Sequence, residues 1–251
     1  MVIYMKKLNR ELLKLKNTKI YTYSIYFSLL LIGMLVVKDI FMSESVSRVG
    51  LNEWVKSNIM IGNFIFIHAI SITFITLIFQ REYANNIVQN ILPYLEIKSS
   101  FIIEKIITWF RLHLIMTLIS FLLTMIGGLI IFKGLNLTDY IISLITLYFK
   151  TCILGFAILL PNLIICIVQR NAFILSLISG AVSIILSVGF LQSSNILPYI
   201  LPWSSAFILI FNANNPYVYC EVTSILILSL LSLIVSIKVL KKQEFWWNNL
   251  R

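Results

Sequence analysis

Apolar runs of about twenty residues, each closed by a short polar break, recur six times along this chain of 251 residues. A hydrocarbon core ~30 Å thick takes roughly 20 residues of helix to cross, so each run has the length of a membrane span. The pattern predicts an all-α, polytopic membrane protein with a single transmembrane domain. Its six transmembrane helices fall at 20–37, 59–80, 112–132, 140–168, 172–191 and 222–240. Composition agrees: 59% of the residues are hydrophobic and 12% charged, against about 45–50% and about 25% in a soluble domain. A conventional soluble fold is excluded.

Twenty Lys and Arg against ten Asp and Glu leave a formal charge of +10. Such a balance would point to nucleic acid in a soluble protein, but in a polytopic one basic residues collect in the cytoplasmic loops. No nucleic-acid partner is expected. Six basic residues lie in the N-terminal tail, four between Arg81 and Arg111, one at Arg170 and four at the C-terminal end, whereas the alternate loops hold four. The asymmetry predicts a multi-pass protein of the cell membrane with both termini in the cytoplasm. Residues 1–19 carry Met5, Leu8, Leu12 and Leu15 on one stripe among lysines, the pattern of an amphipathic helix on the cytoplasmic membrane surface. The first apolar run has no small-residue cleavage site behind it and is expected to stay in the mature protein.

Polar residues inside the runs are few. Lys150 lies about 30 Å from Arg170 at 1.5 Å per residue, which allows its ammonium to snorkel to the outer boundary or to face a substrate cavity. His68 lies thirteen residues before Arg81 and serves either helix packing or transport. With Asn162, these residues are the candidate lining of a translocation path. Pro161 predicts a kink near Leu160 and Asn162, because it removes a helical hydrogen bond. Ser120, Thr124 and Gly128, and likewise Ser179, Ser183 and Ser187, recur at a spacing of four and give two helices a face of small side chains.

No catalytic constellation appears. The chain has two histidines and no HExxH, GxSxG or phosphate-binding GxxxxGK[ST], so neither an enzyme nor a self-powered pump is indicated. Cys152, Cys166 and Cys220 lack metal-ligand spacing and read as small packing residues; no metal site is expected. An active transporter of this kind needs an external motor. Arg81 to Lys105, REYANNIVQNILPYLEIKSSFIIEK, is the best place to grip one. Ile87, Val88, Ile91, Leu92 and Leu95 follow helical spacing up to and past the break at Pro93, so a short amphipathic helix has an apolar face to bury. It lies either against a partner protein or on the bilayer surface.

These residues resemble a known family. Six spans, an acid after the second (Glu82), the asparagines Asn85 and Asn86, the stretch Ile91 to Tyr94 and a lysine leading into the third span (Lys105) are similar to the permease subunits of type-2 ABC exporters. Leu201, Pro202 and Trp203 match a proline and tryptophan pair of the last outer segment. Within the class the chain most resembles Gram-positive permeases for bacitracin and lantibiotic self-protection and for export of amphipathic peptide toxins. Asn85 and Asn86 stand where that pattern has Gly-Thr, and the Ser-Arg expected after the proline is absent.

The resemblance implies a half-transporter that pairs with a second permease copy or a related permease. A separate ABC ATP-binding subunit would hold ATP and Mg. Glu82, Asn85, Asn86, Ile87, Ile91, Leu92, Pro93 and Lys105 would form the coupling helix region contacting that ATPase. The stretch 192–221, with Pro198, Pro202 and Trp203, would be an outer re-entrant element. The expected function is ATP-driven export of amphipathic, antimicrobial or toxin peptides. A membrane immunity or sensor protein that binds a peptide at the surface and moves nothing is the competing reading. An intramembrane enzyme comes third.

Overall fold

Backbone N–H and C=O groups find no water in hydrocarbon, so apolar runs of this length satisfy their own hydrogen bonds as helices. The computed structural model describes residues 19–85, 98–134, 136–169, 173–190, 196–212 and 216–248. Among these residues there is no strand. Helix α1 spans Ile20–Phe41, α2 Ser43–Val49 and α3 Leu51–Asn58. A π-helical segment, Ile59–Ile67, joins α3 without interruption to α4, His68–Ala84. Then come α5 (Lys98–Ile131), α6 (Leu137–Ala157), α7 (Pro161–Val168) and α8 (Ile174–Gly189). The short helices α9 (Leu197–Ile200) and α10 (Pro202–Phe211) precede α11 (Val218–Asn248).

Five stretches among the described residues are long and apolar enough to cross a membrane: 20–41, 51–84, 101–131, 137–168 and 218–240. All five are longer than the expected apolar runs, and for the second and third the contacts supply a physical reason. The second begins at Leu51 rather than 59, because Trp54 and Val55 are buried and the polar groups of Trp54 and Asn58 find Asp39. The third begins at Phe101 rather than 112, in a helix that starts at Lys98, since Phe101, Ile102 and Trp109 are buried and Lys105 has a counter-charge. The fifth run differs in the other direction. Its helix α8 has sixteen residues, roughly 24 Å at 1.5 Å per residue, and is short of a full crossing. The expected surface helix over 1–19 lies outside the described residues but for Lys19.

The rows of small residues face inward. Ser176, Ser183 and Ser187 of α8 are buried, and a Cβ on Gly180 would stand 2.6 Å from Ile72. On α5, Ser120 and Thr124 are buried, and a Cβ on Gly128 would overlap the Tyr140 hydroxyl. Close backbone approach of this kind is what holds helices together where lipid is as apolar as leucine. Outward, the molecule shows large apolar side chains on every long helix, among them Phe41, Leu118, Phe149, Ile185 and Leu230. A surface of that character belongs in hydrocarbon.

The interior is divided. One apolar cluster, with Ile67, Phe74, Phe79, Trp109 and Leu163, fills the end of the bundle nearer Glu82. A second, with Trp54, Ile59, Phe64, Tyr140 and Phe207, fills the end nearer Trp54. Gly128→Ala tests how tightly α5 and α6 close around the second cluster. It should displace Tyr140, break the Tyr140 hydroxyl's bond to the Thr124 carbonyl (3.0 Å), and cost about 1–3 kcal/mol, read as a lower unfolding temperature in detergent.

Candidate coupling site and polar interior

The end of α4 carries Arg81, Glu82, Tyr83 and Ala84, with Asn85 as its C-cap. Helical geometry turns Glu82 and Tyr83 inward, where both are buried, and leaves Arg81, Ala84 and Asn85 exposed. Glu82 forms an ion pair with Lys105 of α5, and both side chains are almost wholly buried, at 8% and 2% exposure. The Lys105 ammonium also stands 5.3 Å from the centre of the Phe101 ring, within cation–π range. Phe101 in turn packs edge-on to Phe79 of α4. The Tyr83 hydroxyl donates to the Ile167 carbonyl at the end of α7, at 3.1 Å. One turn of α4 therefore fastens two neighbours, α5 through charge and α7 through a hydrogen bond.

Further along, α4 also reaches α8. Thr76 Oγ1 donates to Ser176 Oγ at 3.0 Å, and Gln169 brackets the same serine by donating to its hydroxyl and accepting from its backbone N–H. Asn162 is buried beside the break at Pro161. Its Nδ2 donates to the Leu159 carbonyl at 3.2 Å, and its Oδ1 accepts from Ser179 Oγ at 2.8 Å. The polar residues near Glu82 thus tie α4, α7 and α8 into one unit.

The predicted site residues fall in several places. Glu82 and Lys105 come together, but as an interior pair rather than an exposed face. Asn85 is exposed at the helix end. Asn86, Ile87, Ile91, Leu92 and Pro93 lie outside the described residues. Of the candidate path residues, His68 is buried with its ring 6.0 Å from that of His113 and 4.9 Å from Phe64, whereas Lys150 is half-buried next to outward-facing Phe149. Among the described residues no hydrogen bond or ion pair links His68, Lys150 and Asn162. Pro198 is buried, and its carbonyl accepts from Ser204 Oγ at 2.9 Å. Pro202 opens α10, and Trp203 is half-buried in its first turn. Helices α9 and α10 are each too short to cross a bilayer.

Two polar clusters escaped the sequence reading. At the far end of the second stretch, Trp54 Nε1 donates to Asp39 Oδ2 at 2.9 Å, Asn58 Nδ2 reaches the same oxygen at 3.4 Å, and Lys38 pairs with Oδ1 at 3.2 Å. At mid-depth, Tyr148 bonds Thr124 at 2.6 Å and Ser120 at 3.4 Å, Asn63 donates to Ser120 at 3.2 Å, and His113 Nδ1 meets Ser71 at 3.2 Å. A spacing signal for the second existed: His113, Thr117, Ser120 and Thr124 share one face of α5. Beside it, between α5 and α6, an apolar groove of about 510 Å³ opens outward, lined by Phe110, Leu114, Leu118, Ile145 and Phe149.

The ion pair makes a quantitative prediction. Removing one partner of a buried pair leaves the other charge uncompensated and costs about 3–5 kcal/mol. Lys105→Met should lower the unfolding temperature in detergent far more than Lys150→Met, since Lys150 is half-exposed. Equal effects would contradict the burial of the pair.

The comparisons with known proteins fit this architecture. The family model described as "ABC-2 family transporter protein" matches residues 8–189 of the chain. No curated protein and no solved structure gives a match. The matched region runs from the N-terminal tail through the end of α8, and so includes the α4–α5 connection and the Glu82–Lys105 pair. The chain belongs to the ABC-2 family of transporter proteins, multi-pass membrane permease subunits of ABC transporters, and that membership implies an ATP-binding partner.

Proposed function

We propose that this permease exports amphipathic peptides, with the residues between α4 and α5 serving as the lever through which an ATP-binding subunit drives it. Both termini and the 81–105 segment face the cytoplasm in this reading, supported by the basic residues gathered there. The chain passes the membrane six times, with α8 as the fifth and shortest crossing. ATP and Mg are held by the partner subunit, and two permeases, identical or related, form the path between them.

The buried Glu82–Lys105 pair carries this reading. The residues on either side of the connection, the last turn of α4 and the first turns of α5, are clamped by opposite charges in a low-dielectric interior. A displacement of the connection cannot move one helix end without the other. Tyr83 extends the same linkage to α7. Glu82 and Lys105 are positioning residues here, and the contact surface itself falls to exposed Asn85 and to residues 86–93. The groove between α5 and α6 supports an apolar cargo. Its Tyr148 hydroxyl is already engaged by Thr124, so hydrocarbon is what the groove accommodates best.

Nucleotide binding biases the permease only through differential affinity for its two states, and the lever is where that bias enters. Glu82→Gln and deletion of residues 85–92 should each lower peptide export from vesicles at least tenfold in the complex with the ATPase, while membrane insertion persists. Export unchanged in both variants would remove the lever assignment. Stimulation of the ATPase by lipids or small drugs, but by no amphipathic peptide, would overturn the cargo.

A further inference from the structure

Both backbone irregularities of the long spans fall at one level of the bundle. In the second stretch the π-helical segment ends at Ile67, and the cluster boundary passes within it: Ile59 and Phe64 belong to the apolar cluster nearer Trp54, Ile67 to the cluster nearer Glu82. In the fourth, α6 ends at Ala157 and α7 starts at Pro161. There Ile158 belongs to the cluster nearer Trp54, and Phe156, Leu159 and Leu160 to the cluster nearer Glu82. Between the clusters runs the polar seam of Asn63, His68, Ser71, His113, Thr117, Ser120 and Tyr148.

Each irregularity leaves the backbone hydrogen-bond ladder with options. Pro161 has no N–H for the Ala157 carbonyl, which accepts instead from Leu160 at a long 3.4 Å. Leu159, Asn162 and Leu163 likewise donate to carbonyls three residues back. The Asn162 side chain adds a further donor to the Leu159 carbonyl. A π-helix bonds five residues back and is otherwise rare outside functional positions. Carbonyls at both places therefore have alternative donors within reach, and bending trades one for another.

By contrast α1 and α5 are continuous α-helices of 22 and 34 residues. Among the described residues no other pair of helices packs as extensively. They run past the seam unbroken.

We propose that the permease bends at mid-depth: the second and fourth spans hinge at residues 59–67 and 158–160, swinging the Trp54 end of the bundle against the Glu82 end, with α1 and α5 as the rigid post. Two separate apolar cores let each end move as a body. The seam's hydroxyl, amide and imidazole contacts re-form after a small slide, whereas an interlocked apolar core resists one. The hinge belongs to this chain alone and needs neither nucleotide nor an export cargo.

The test is pulsed dipolar EPR on the full chain in nanodiscs, without partner or nucleotide. Spin labels at exposed Leu137 and Val168 straddle the break in the fourth span; labels at exposed Ile103 and Ile130 straddle the same level on unbroken α5. Native Cys152, Cys166 and Cys220 are replaced by alanine. The 137–168 distance distribution should be at least twice as wide as the 103–130 distribution, and Pro161→Ala should narrow it to the α5 width. Equal widths in the parent protein would overturn the proposal, and so would a 137–168 width that Pro161→Ala leaves unchanged.

Discussion

An ammonium and a carboxylate buried together must stay together. Taking either Glu82 or Lys105 out of water alone costs several kcal/mol, and the other's charge offsets it. That single requirement sets the spacing of α4 and α5 and lets α5 begin at Lys98, well before its apolar run. It also fixes the geometry on both sides of the connection between them. Tyr83, the next residue, is thereby aimed at the Ile167 carbonyl, and α7 is drawn in. Such a pair contributes little net stability compared with apolar packing. What it supplies is a fixed relation between two helix ends.

Away from that clamp the bundle is organised by depth rather than by a single core. The Glu82 end is bound through side-chain hydrogen bonds from Thr76, Tyr83 and Asn162 and through the aromatic cluster around Trp109. The Trp54 end is bound through Asp39 and through the packing of α10 on α6, α8 and α11. Small residues at Gly128 and Gly180 bring backbones close enough for these contacts to form. Polar side chains at mid-depth bond across helices, Tyr148 with Thr124, Asn63 with Ser120 and His113 with Ser71, which offsets the cost of burying them in hydrocarbon. The outward faces of α1, α6, α8 and α11 carry Leu, Ile and Phe that only lipid or another membrane protein would cover.

Much of this was legible in the sequence, because hydropathy is a property of single segments. Spans, the kink at Pro161 and the inward rows of small residues all follow from local spacing. The ends of the spans were not legible. Trp54 and Asn58 extend a helix only because Asp39, on another helix, takes their hydrogen bonds. Lys105 looked like a loop residue until its partner was known. The pairing of Glu82 with Lys105 is a property of the fold, since the two are 23 residues apart in the chain. The π-helical segment has no sequence signature of its own; within it Asn63 donates to Ser120 and Gly62 lies close to the same serine.

The central claim is that the charges of Glu82 and Lys105 act as a pair, indifferent to which helix carries which sign. The most direct measurement is export by the exchanged variant Glu82→Lys with Lys105→Glu, compared with each single reversal, in the complex with the ATP-binding subunit. The account predicts that the single reversals abolish export and that the exchange restores a substantial fraction of it. An exchanged protein that inserts and unfolds like the parent but exports no better than the single reversals would contradict it.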